Sequence, residues 1–110
     1  MGLLGSNHPK EQMVVAGRIN AAGDIVAGSG FACADGATGI YTITFDRAYD
    51  KLISVVAQSE VTDVVIIATT ITHTDGTDGP SILFTGEAID ETAADADCPF
   101  SFITVWETDT

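Results

Sequence analysis

At 110 residues the chain has the length of one domain, and its 45% hydrophobic content is enough to build a core without disulfides or metals. Sixteen acidic residues against four basic ones leave a net charge of −12, and charged residues make up only 18% of the chain. This excludes direct binding to a phosphate backbone, which needs a basic patch, and it disfavours anionic membrane surfaces. A chain this apolar and this sparsely charged is expected to cover part of its surface with other subunits, leaving its acids solvated.

Residues 1–12 read as an extended arm. Gly2, Gly5, Ser6, Asn7 and Pro9 interrupt regular structure, while Leu3, Leu4 and Lys10, with Met13 just beyond, could anchor the arm on a neighbour. Met1 to Ser6 also fits the N-myristoylation pattern, which is read here as a flexible start. No apolar run reaches transmembrane length and no charged segment leads into a signal-type apolar run. Cys33 and Cys98 are therefore expected to be free, buried thiols.

Residues 13–110 read as a β-sandwich domain. Met13 to Ile19 forms the first strand, and Asn20-Ala21-Ala22-Gly23-Asp24 is a turn. A second strand opens at Ile25, placing Ile25, Ala27, Ser29, Phe31 and Cys33 on one face. Gly28 and Gly30, at alternate positions, mark a bulge or the close approach of another backbone. After the turn Asp35-Gly36-Ala37-Thr38-Gly39 comes the clearest strand, Ile40-Tyr41-Thr42-Ile43-Thr44-Phe45. Its period-2 pattern sends Tyr41, Ile43 and Phe45 to a core and Thr42 and Thr44 to the other side.

Leu52 to Gln58 is the fourth strand. Val64 to Thr74 is the most β-prone run, with Val65, Ile67 and Ile71 opposite Val64 and Ile66. Two apolar faces predict burial on both sides, the second by a neighbouring subunit; Val65 and Ile67 are the expected contacts. Ser81 to Ala88 is the sixth strand, and the last places Phe100, Phe102, Thr104 and Trp106 on one face. About seven strands at spacings near ten residues predict an all-β, antiparallel sandwich or jelly-roll-like fold.

Catalytic and metal chemistry find little support. His8 and His73 lack a nucleophile elbow or an oxyanion motif, and no pair of carboxylates has the cleft a glycosidase needs, so an enzyme is not expected. Asp75 and Asp78 share one loop, and Asp90, Glu91, Asp95 and Asp97 another. Counted from Asp75, Glu87 comes one position late for an EF-hand, so both read as solvated loops and no cofactor is expected.

The run from Ala16 to Phe31, then Thr38 to Phe45, and the closing Cys98-Pro99-Phe100-Ser101-Phe102-Ile103 resemble small β-sandwich modules of tailed-phage virions. Fibre tips and capsid decoration proteins are both of this kind. The likeness covers most of residues 14–106 and implies strands and glycine turns; it carries over no functional residue. A fibre tip normally follows a long trimeric shaft, whereas only about a dozen residues precede this sandwich. The resemblance therefore implies a capsid decoration (cement) protein, commonly a homotrimer, that clamps the major capsid protein on the virion exterior. No nucleic acid or membrane partner is expected, on the ground of the −12 charge given above. The alternative is a receptor- or glycan-binding module stacking sugars on Trp106, Tyr41 or Tyr49.

Overall fold

The computed structural model describes residues 11–47, 51–72, 80–90, 92 and 94–108. They form eight strands: β1 (Glu11–Ile19), β2 (Ile25–Gly28), β3 (Phe31–Asp35), β4 (Ile40–Phe45), β5 (Lys51–Ser59), β6 (Val64–Thr72), β7 (Ser81–Ala88) and β8 (Phe100–Thr108). Two four-stranded antiparallel sheets result, sheet I in the order β2-β1-β8-β5 and sheet II in the order β3-β4-β7-β6. They pack face to face as a β-sandwich.

The core is the sum of the inward alternations. Tyr41, Ile43 and Phe45 of β4 and Ile82 and Phe84 of β7 lie beneath Phe100, Phe102 and Trp106 of β8, all buried. Phe45 meets the Trp106 ring edge-on at 5.0 Å, Phe31 meets Phe102 in the same way at 5.0 Å, and Phe84 packs on both Phe100 and Phe102. Such aromatic pairs add about 0.5–1.5 kcal/mol each beyond area burial. The polar atoms carried inward are partnered. The Trp106 indole N–H donates to Thr104 Oγ1 at 2.8 Å, and that hydroxyl donates to the Val15 carbonyl at 2.9 Å. The Tyr41 hydroxyl donates to the Ala21 carbonyl at 2.7 Å and accepts from the Cys98 N–H at 3.2 Å. Among the described residues no buried side-chain nitrogen or oxygen lacks a partner, as a close-packed interior requires.

Two expected strands are corrected. The run from Ile25 to Cys33 is not one strand: it breaks at Ser29–Gly30, and β2 and β3 belong to different sheets. Gly28 and Gly30 have φ of +100° and +91°, the left-handed region that turns the chain around the corner of the sandwich. A Cβ at Gly28 would also run into the Ala16 carbonyl oxygen. Phe31 consequently reaches the core while Ile25 and Val26 remain exposed.

In β6, Ala68 pairs with Phe84 but Thr70 pairs with Leu83, so Thr69 is an extra residue. This bulge reverses the alternation and puts Ile71 in line with Val64 and Ile66, not with Val65 and Ile67. A smaller difference lies at the start of β1, which includes Glu11 and Gln12; the expected end of β6 at Thr74 lies outside the described residues.

Candidate interaction surface

The most distinctive surface is the outer face of sheet I. Residue pairing aligns three strands laterally: Val14 and Ser54 flank Val105, while Ala16 and Val56 flank Ile103. Val14 is 64% exposed, Val56 63% and Ile103 52%, so the centre of this face is an apolar island in contact with water. Each of these positions alternates with a core residue. Thr104 and Phe102 point inward, which forces Ile103 and Val105 outward.

Polar groups close the island at both ends. At one end Arg18 reaches across β8 to Glu60, with Nε donating to Oε2 at 2.7 Å and Nη2 to Oε1 at 2.8 Å. The two-pronged pair raises the guanidinium pKa and holds the Glu60 carboxyl below its ordinary value, the direct hydrogen bond being the largest cause. Gln58 and Ser101 lie beside it. At the other end Lys51 and Gln12 stand directly opposite Glu107. An apolar centre inside a polar rim is the anatomy of a protein-binding patch.

The expected contact residues fall in different places. Met13 pairs with Trp106 and packs against the core. Val65 and Ile67 are each 43% exposed on the outer side of sheet II, so the chain by itself buries only the Val64 and Ile66 side of β6. Val65 also lines a cleft of about 320 Å³ beside the β5–β6 turn, with Ala57, Gln58, Val61, Val64 and Ile89. Leu3, Leu4 and Lys10 lie outside the described residues. Alternation in the last strand puts Ile103 and Val105 opposite its aromatic face, but nothing in the sequence sets Val14 and Val56 beside them.

Candidate stacking residues are corrected: Trp106 and Tyr41 are fully buried and present no ring to a ligand, and burial pushes the Tyr41 hydroxyl up to about 12. Tyr49 lies outside the described residues, as do His8, His73, Asp75, Asp78 and Glu91.

Part of the acidic loop is tied to the fold. The Asp97 carboxylate accepts from the Gly39 N–H at 2.6 Å, the Asp90 carboxylate accepts from both the N–H and the hydroxyl of Thr92, and the backbone of Asp95 forms an isolated antiparallel bridge with that of Glu87. Gly86 admits this loop, since a Cβ there would strike the Ala96 carbonyl. Among the described residues no three His, Cys, Asp or Glu side chains are grouped as a metal site.

Cys33 and Cys98 are free thiols. Burial, with Asp35 and Asp24 adding to it, pushes Cys33 up to about 11, and burial raises Cys98 too, so both are poor nucleophiles at neutral pH.

No protein-family model matches the chain, and neither a curated protein nor a solved structure matches it.

Proposed function

We propose that the protein is a non-enzymatic structural component of a tailed-phage virion, a decoration protein that binds the outside of the capsid and stabilises it. The observation that carries this reading is the apolar, polar-rimmed outer face of sheet I on an otherwise strongly acidic chain. A surface of that kind serves association between protein subunits, as a component of a protein shell requires, while the capsid contact itself falls to the arm. The resemblance of Ala16–Phe31 and Thr38–Phe45 to virion sandwich modules supplies the setting, with the major capsid protein as the partner and the capsid surface as the location. In this reading the arm, with Leu3, Leu4 and Lys10, engages the capsid while the sandwich stands outside.

The test is co-sedimentation of the purified protein with undecorated capsids of the phage that encodes it. Saturable binding at micromolar concentration and a higher capsid disruption temperature are expected. Absence of binding across that range overturns the reading. A chain lacking residues 1–10, cut there to spare β1 and its pairing of Glu11 with Thr108, should remain folded yet fail to attach. Undiminished attachment would move the contact onto the sandwich.

A further inference from the structure

We propose that the outer face of sheet I is a self-association surface, on which two copies of the chain pack face to face about a twofold axis. The surface is the one that supports the virion reading, but the proposal does not depend on that reading: the arm is assigned the capsid contact there, and the test below follows association of the pure chain.

Charge identifies the occupant. The chain carries −12, so most pairings of its surface with another copy bring like charges together. The outer face of sheet I is different, for it holds two of the chain's four basic residues, each matched to an acid. Arg18 is forked onto Glu60, and Lys51 stands opposite Glu107. Since each end of the face is internally neutral, a second copy can lie along the strands in either direction without juxtaposing net charge. A cationic partner would gain more from the acidic remainder than from this balanced face. The partner matching apolar to apolar and balanced to balanced is the same face of another copy.

The opposite face does not meet these conditions. The strands of sheet II contain no Lys or Arg. In register, Thr42 and Thr70 flank Leu83 and Thr44 and Thr72 flank Ser81, while the exposed Val65 and Ile67 lie at the β6 edge beside Glu87 and Thr85, so the apolar side chains of this face are interleaved with hydroxyls and a carboxylate. Drying that face would desolvate a field of hydroxyls lacking assured partners.

Size sets the strength. The nine-residue strands β1, β8 and β5 span a footprint of about 14 Å by 30 Å at ordinary strand spacings. That flat area of about 420 Å² is below the roughly 800 Å² per partner of a standard stable complex. The dimer is therefore weak and reversible, and because identical faces meet it closes at two copies.

Sedimentation velocity of the full chain from 1 to 200 µM, at roughly physiological salt, tests this. A monomer–dimer equilibrium is expected for the wild type. Ile103→Glu should weaken it at least tenfold, whereas Thr44→Glu, with the same charge change on the other face, should leave it within about twofold. If Ile103→Glu does not fold, the near-isosteric pair Val14→Thr and Val56→Thr reads the same surface, with the same tenfold loss expected. A wild type that stays monomeric throughout, one that sediments as a trimer, or Thr44→Glu dissociating as completely as Ile103→Glu would each overturn the proposal.

Discussion

The two outer faces of the sandwich are built on the same backbone period yet present opposite surfaces. On sheet I the outward positions of three neighbouring strands centre on Val14, Ala16, Val56, Ile103 and Val105; on sheet II Thr42, Thr44, Thr70 and Thr72 surround Leu83 and Ser81, with Val65 and Ile67 exposed only along the β6 edge. Valine and threonine have almost the same shape and both suit a pleated strand, so the contrast does little to the fold. It changes the cost of removing water. A methyl face gains when it is covered, and a hydroxyl face loses unless every hydroxyl finds a partner. A sandwich can thus direct its associations to one side without altering its core.

The largest effect is expected where both faces share their support. Phe102 packs against Phe31, Phe45, Phe84 and Phe100, joining the two sheets. Phe102→Ala should cost about 3–5 kcal/mol in urea unfolding, near the whole stability of a small domain, and remove both faces together. A loss below about 1 kcal/mol would mean the sheets are not joined through this ring.

Next comes Tyr41→Phe. It strands the Ala21 carbonyl and the buried Cys98 N–H, and should cost about 1–3 kcal/mol in the same assay. Self-association should persist, because the change lies inside sheet II, and sedimentation velocity checks that half of the expectation.

Alkaline titration separates the sheets in a third way. Cys33 and Tyr41, both in sheet II, have pKa values raised from 9.0 to about 11 and from 10.0 to about 12. The unfolded chain releases these protons first, so the stability is complete below pH 9 and is lost as pH rises from 9 through 12. Urea midpoints from pH 7 to 11 should be level up to 9 and fall beyond it. With Cys33→Ala the fall above pH 9 should be shallower, since Cys98, also raised by burial, keeps its onset there; an unchanged slope would exclude the Cys33 thiol as a source.

The smallest change in stability, within about 0.5 kcal/mol, is expected for Thr44→Val with Thr70→Val. This pair erases part of the contrast between the faces. It should add association beyond the dimer at high concentration, seen as larger sedimenting species. If none appear, the hydroxyls are not what keeps that face wet.

Periodicity along the chain was enough to determine which side chains of β4, β7 and β8 turn inward. Alternation is a property of each strand by itself, and Tyr41, Ile43, Phe45, Phe84, Phe100, Phe102 and Trp106 all obey it. The outward side of Ile103 and Val105 follows from the same rule. Tertiary structure decided the rest. Alternate glycines at Gly28 and Gly30 fit a bulge as well as a corner, and only the separate pairing of β2 with β1 and of β3 with β4 makes them a corner. Thr69 became a bulge because β7 offers no residue opposite it. The apolar island arises because β8 inserts between β1 and β5, bringing Val14 beside Val105 and Val56 beside Ile103. Lateral neighbours in a sheet come from long-range pairing, whereas local alternation specifies only the side on which each residue stands.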